Sequence, residues 1–240
     1  MSSQVYCYIC KLLNYMKYFA TVFLILSTVF MAQSQTYEIG GMIGGANYIG
    51  DIGKTNYINP NSLALGGIFK WNRSARHSFR ASFMVAKIKG DDSKSSNSRR
   101  NQRGYSFENR VNELSIGLEY TFWDFNVHSQ KPISTPYLYT GLTAFTYTAL
   151  YRKGENIVDY DNAASVAIPI VLGFKATISQ NAMFGFEIGA RYTFTDDLDG
   201  SNPVKGLKDD EGAKFGNINN DDWYVFTGVT FTFAFGRKPC

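Results

Sequence analysis

Cysteine, histidine and proline are scarce: the 240 residues include 3 Cys, 2 His and 6 Pro. Cys7 and Cys10 make one C-x-x-C step with no second pair, so neither a zinc ribbon nor a redox motif is indicated. With His77 and His128 as the whole imidazole supply, few places could set a nucleophile beside a histidine base. Charge of one sign is also lacking, and a net +4 is too small to argue for nucleic acid. The one long apolar run, Tyr18 to Ala32, is short for a helix that needs ~20 residues to cross a bilayer.

That run follows Lys17 and ends in small residues at Ala32 and Ser34, the layout of a secretory signal. The expected division is an N-terminal extension and signal peptide over 1–34 and one domain over 35–240, with Gln35 first after cleavage. An uncleaved helical anchor is the alternative, and Met16 is a second candidate start. Without Lys11 and Lys17 the mature chain has 22 bases against 20 acids, a net +2. It would retain Cys240 as its one cysteine.

What the sequence has in abundance is aromatic residues, at 16%, and 22 glycines. Tyr and Phe suit pleated, half-buried surfaces, and glycine suits strands that turn or pack closely. Period-two alternation is clearest over 223–235, where Val225, Val229, Phe231, Phe233 and Phe235 share a face opposite Gly228, Thr230, Thr232 and Ala234. Leu114, Ile116, Leu118, Tyr120 and Phe122 likewise oppose Glu113, Ser115, Gly117, Glu119 and Thr121. Eight such stretches are expected, at 36–48, 62–71, 78–89, 108–124, 135–151, 164–178, 183–195 and 222–236. Short connections near 72–77, 125–134 and 179–182 alternate with long polar ones near 49–61, 90–107, 152–163 and 196–221. Short turns on one side and long loops on the other are the pattern of an outer-membrane barrel. The expected fold is therefore all-β, an eight-stranded antiparallel transmembrane β-barrel with both termini in the periplasm.

A soluble sandwich or lipocalin-like barrel would instead bury the apolar faces. The position of charge decides between them. The polar faces carry Glu38, Glu113, Glu119 and Glu187 with Lys70, Arg80, Lys175 and Arg191, four acids and four bases. Enclosed charge is tolerable when paired, so these faces point inward and the apolar faces meet lipid. Lys87 is the main exception. Tyr37, Trp71, Trp123, Tyr137, Tyr151 and Trp223 lie near strand ends, where aromatic girdles belong. Glu119, Lys175, Glu187 and Arg191 are expected to form a lumen charge network rather than a proton or ligand site. An eight-stranded barrel has an interior just wide enough for side chains.

No cofactor and no metal is expected. Asp196–Asp199, Asp209–Glu211, Asp221 and Asp222 lack the alternate-position spacing of a calcium loop, and a solvated loop is expected there. Lys94, Arg99, Arg100 and Arg103 sit in a predicted external loop that could meet lipopolysaccharide phosphates, with a solvated loop as the plainer reading. Both histidines fall at predicted periplasmic turns, so a lipid-modifying enzyme is disfavoured. At the other end, Cys240 sits beside Arg237 and Lys238, which favour its thiolate. A lone thiol in an oxidising compartment tends to pair with another chain. Cys240 is thus a candidate for an intermolecular disulfide, the alternative being a free thiol without a role.

The segments TYEIGGMIGGANYIGDIG (36–53) and NPNSLALGGIFKWNRSARHSFRASF (59–83) resemble the PorG-like family of small barrels of the type IX secretion system. The likeness lies in the Gly-rich first strand running into Tyr48–Asp51, the Asn/Pro before strand two, and the Arg-containing turn before strand three. It implies a non-enzymatic role: a barrel held by outer-membrane lipids that ties a periplasmic ring lipoprotein to the membrane through Arg237, Lys238 and Cys240. A surface-binding, adhesin-like barrel working through its long loops is the alternative.

Overall fold

The computed structural model describes residues 36–127, 129, 131–203, 212–217 and 220–236, all within one compact unit, Thr36–Gly236. Eight strands run in chain order: β1 (Thr36–Ile49), β2 (Ser62–Asn72), β3 (His77–Asp91), β4 (Ser106–Thr121), β5 (Ser134–Lys153), β6 (Asn156–Thr177), β7 (Ala182–Thr193) and β8 (Trp223–Gly236). Each pairs antiparallel with the next, and β8 closes on β1 from Thr36↔Gly236 to Ile49↔Trp223. Closure leaves no open sheet edge around the ring. The end where Thr36 meets Gly236 is called the terminal end below, and the opposite one the distal end.

Side chains are sorted inside out relative to a soluble protein. Ile39, Phe83, Ile116, Leu142 and Leu172 are exposed on the outer wall, at 52 to 65%. Glu38, Lys70, Arg80, Glu113, Glu119, Lys175, Glu187 and Arg191 are buried within the ring, at 3% or less. An apolar outer band around an ion-paired interior is stable only against acyl chains, so the barrel spans a membrane. Among the described residues no helix is long and apolar enough to do so. Aromatic rings flank the band: Tyr37 stacks on Phe69 and Phe235 at the terminal end, and Tyr192 packs against Trp223 at the distal end.

Two expectations about the strands need correction. The span 152–163 is no long loop: β5 and β6 stay paired to Lys153↔Asn156 around Gly154, whose φ of 68° suits glycine. Asp159, Asp161 and Asn162 read as loop residues because this part of β6 rises past its neighbours and leaves these three side chains exposed, while Ile157 and Tyr160 pack against the apolar cluster. β4–β5 pairing stops at Asn112↔Thr146 and β6–β7 pairing at Ala167↔Thr193. Tyr137, in turn, belongs to no girdle. Odd positions of β5 face inward, and Tyr137 is 1% exposed inside the lumen. Gly173 opposite makes room for it, since a Cβ there would come within 2.2 Å of the Tyr137 ring.

Candidate functional site

Period-two geometry on β2, β3, β4, β6 and β7 sends their long charged side chains to the barrel axis. Glu119 on β4 is the hub. Its carboxylate lies 2.8 Å from Lys70 Nζ on β2, 2.7 Å from Lys175 Nζ on β6 and 3.7 Å from Arg80 Nη1 on β3. Arg80 forks onto Glu187 through Nη1 (2.8 Å) and Nη2 (3.0 Å), and the Tyr137 hydroxyl donates to the same carboxylate at 2.7 Å. Arg191 donates to Glu113 through Nη2 (2.8 Å) and Nε (3.2 Å), and Tyr224 adds a 2.6 Å bond. Glu38 accepts from Asn72 Nδ2 (2.8 Å) and Thr232 Oγ1 (2.9 Å).

Of the four residues singled out in sequence, Glu119 and Lys175 thus meet directly. Glu187 and Arg191 share a face of β7 but turn to different partners, Arg80 and Glu113. Alternation alone puts Glu38, Lys70, Arg80 and Glu113 inside but gives no partner for any of them. These ion pairs and hydrogen bonds occupy the middle of the barrel, leaving it a packed wall rather than a conduit.

Both ends of the lumen are covered. At the terminal end Phe125, from the β4–β5 connection, is 4% exposed and packs with Val127, Met183 and Ala234. His77 lies at this end, near Ser74 Oγ at 3.2 Å and against the Tyr120 ring. Arg237, Lys238, Cys240 and His128 lie outside the described residues.

At the distal end three connections converge. The β3–β4 connection contains the short helix α1 (Ser98–Arg103), which starts at the Asn97 cap and ends at Gly104. Two of its three arginines, Arg100 and Arg103, turn inward. Arg103 Nε binds buried Asp92 at 2.7 Å, Arg103 Nη2 reaches Asp51 O at 2.7 Å, and Arg100 Nη1 reaches Gly53 O at 3.0 Å. Arg99 stays exposed and Lys94 pairs with Asp91. The β7–β8 connection drops Leu198 into the apolar cluster of Ile52, Ile88, Phe107, Leu150 and Phe226. Asn109 Nδ2 holds Leu198 O at 2.8 Å.

The acidic stretch of that connection is not the solvated loop expected from sequence. Asp197, Asp199 and Asp222 are at most 1% exposed and Asp196 is 8% exposed. Asp222 accepts from the Tyr48 hydroxyl and from Leu198 N (3.0 Å), and Asp199 Oδ1 accepts from Ser201 N (2.9 Å). Asp196 Oδ2, Asp199 Oδ2 and both Asp197 carboxylate oxygens have no hydrogen-bond partner among the described residues. The Tyr147 hydroxyl favours the charged form of Asp197, but its own bond runs to Thr195 Oγ1 at 3.1 Å. Burial first, and neighbouring carboxylates second, push Asp196 up to about 7 and Asp197 up to about 8. Asp222 is raised by the same two causes. Loop burial is a tertiary outcome, which alternation in the flanking strands could not signal.

A pH dependence follows. The folded plug keeps protons that the unfolded chain releases near the ordinary 3.8, so its stability is full below that value. It declines as pH rises towards about 8 and then levels off. In cation-free buffer, hydrogen-exchange protection of the Leu198 and Ser201 amides, corrected for intrinsic rate, should fall between pH 5 and pH 9. Equal protection at both would show that these carboxyls do not titrate in that window.

Residues 16–240 match a protein family described as a domain of unknown function, DUF6089. No curated protein matches the chain. Among solved structures it is similar to the attachment invasion locus protein Ail of Yersinia pestis, at 7% identity and a TM-score of 0.47, covering 85% of this chain and 100% of that one. It is also similar to the N-terminal β-barrel domain of Pseudomonas aeruginosa OprF, at 11% identity and a TM-score of 0.45, covering 85% and 98%. Neisserial surface protein A gives 10% identity and a TM-score of 0.45, again over 85% and 98%.

Proposed function

The chain belongs to the DUF6089 family, and from that footing we propose that it is a structural anchor in the outer membrane, serving the type IX secretion system. Both ends of the strand series face the periplasm in this reading, and Arg237, Lys238 and Cys240 reach a periplasmic ring lipoprotein there. The observation that carries it is the filled lumen. With Glu119 bonded to Lys70 and Lys175 across the axis, the barrel offers a rigid body to pull against and no route for cargo. The resemblance of segments 36–53 and 59–83 to PorG-like barrels supports the choice of machine.

Deleting the gene should block cargo export, and a non-reducing gel of native membranes should show a Cys240-dependent band of higher mass that Cys240→Ser removes. Normal export in the deletion strain would overturn the role; a monomer alone on the gel would overturn the disulfide. A surface-binding reading is favoured by one feature, a distal cleft of about 640 Å³ lined by polar side chains such as Asn47, Lys54, Asn59 and Lys89. Loop deletions around it that abolish attachment while leaving export intact would select that reading.

A further inference from the structure

The outer wall of β1 changes character near its distal end. On its outward face Ile39 and Ile43 are 57% and 53% exposed, as lipid-facing residues should be. Further along the strand, Asn47 keeps the same outward parity but is 2% exposed. Val225, opposite it on β8, also points outward and is 4% exposed. What covers Asn47 is the β1–β2 connection. Asn47 Nδ2 donates to Asn56 O (3.1 Å) and Tyr57 O (3.4 Å), and its Oδ1 accepts from Asn59 N (3.2 Å). Gly45 faces outward without a side chain, and a Cβ there would come within 2.6 Å of Pro60 Cβ. Asn61 N then bonds Ala46 O and leads the chain into β2.

Register sets the depth of this segment. The β1–β8 pairing ends at Ile49↔Trp223, and Trp223 belongs to the aromatic ring that flanks the apolar band at the distal end. Asn47 and Gly45 both lie on the membrane side of that pair. At a rise of ~3.3 Å per residue and a strand tilt of ~40°, Gly45 is about 10 Å below the ring. Residues 56–60 therefore fold back down the outer wall instead of standing up into water. Irregular backbone at that depth is costly unless its polar groups are satisfied. The Asn47 amide satisfies two carbonyls and one N–H of the segment. That accounts for an amide on a strand face otherwise lined by Ile39 and Ile43, where an unpaired one would be penalised. Within the segment Tyr57 and Ile58 are 79% and 56% exposed.

We propose that residues 56–60 form a re-entrant interfacial segment that binds lipid, placing Tyr57 and Ile58 at the headgroup–acyl boundary of the leaflet around the distal end. Lipid is the partner because the segment continues the band in which Ile43 and Leu65 are exposed to acyl chains. Its chemistry fits that boundary. Tyrosine joins an apolar body to a polar tip and is enriched at membrane–water interfaces, and Ile58 adds apolar area. The segment also fills a gap. Tyr192 of β7 and Trp223 of β8 supply rings at the distal end, whereas Gly45 and Asn47, the outward residues of β1 below them, carry none. Asn47 is a positioning residue here, since it holds the backbone of the segment and is itself shielded from lipid. The inference needs only the membrane-spanning barrel, so failure of the secretion role would leave it standing.

The test uses the full mature barrel with Cys240→Ser, reconstituted into phosphatidylcholine vesicles, with Ile58→Cys carrying an environment-sensitive fluorophore. Its emission should be blue-shifted, and should lose intensity when the acyl chains are brominated. The same label on Ser96→Cys, an exposed site in the β3–β4 connection, should emit at longer wavelength and keep its intensity. Adding Asn47→Leu keeps the outer wall apolar but frees the segment, so the label at Ile58 should then behave like the one at Ser96. Heat-modifiable gel mobility checks that each barrel is folded, and the comparison of Ile58 with Ser96 stands without the Asn47 variant. Emission at Ile58 that matches Ser96, or a blue shift that bromine does not quench, would overturn the contact with lipid. Quenching that survives Asn47→Leu in a folded barrel would overturn the part given to Asn47.

Discussion

Glu119→Gln is expected to destabilise the folded barrel by about 3–5 kcal/mol, the cost of removing one partner from a buried ion pair. The substitution keeps the shape but leaves the ammonium groups of Lys70 and Lys175, each now 2.7–2.8 Å from the site, with no anion between them. Arg80 retains Glu187 and should be less affected. Urea titration in lipid vesicles, followed by tryptophan fluorescence, measures the loss. Adding Lys175→Met should recover much of it, because the surplus cation goes as well. A loss under about 1 kcal/mol, typical of solvated pairs, would mean that water fills the lumen.

Leu142→Arg tests the outer wall and should cost about 2–4 kcal/mol, the penalty for arginine near the bilayer midplane. Leu142 is 65% exposed and sits opposite Ile116, midway along the β4–β5 pairing. Thr148→Arg is the control. It has the same outward parity on β5 but lies beyond the last β4–β5 pair, Asn112↔Thr146, and should cost about 0–1 kcal/mol, as near an interface. Equal costs at both positions, or a barrel that stays folded without detergent, would remove the membrane assignment.

The strands were legible because inward and outward residues alternate within each one, a property carried locally. The same parity put Glu119, Lys175, Glu187 and Arg191 on polar faces without any knowledge of neighbours. It could not say that Glu187 turns to Arg80 and Arg191 to Glu113, since those meetings depend on how strands β3, β4 and β7 face each other across a closed ring. Tyr137 misled because a tyrosine near a strand end reads as an interfacial ring, while its parity and the gap at Gly173 draw it to Glu187. The projecting β5–β6 hairpin misled for the opposite reason: Asp159 and Asp161 have poor strand propensity, and pairing with β5 overrides it. Arg100 and Arg103 of α1 and the acids of 196–199 read as solvated because only contacts between distant loops draw them in.

Besides Arg80 on adjacent β3, the Glu119 hub draws its two nearest partners from β2 and β6, on opposite sides of the strand that carries it. The β3–β4 hairpin offers it only Arg80 at 3.7 Å, and the two close lysines arrive once β2 and β6 curl towards one another. A half-inserted chain would hold naked ions against hydrocarbon, so no comfortable halfway stage exists on the way into the bilayer. Threading and sealing must then happen as one concerted event, and the cell's insertion apparatus has to shelter these groups until the last seam shuts.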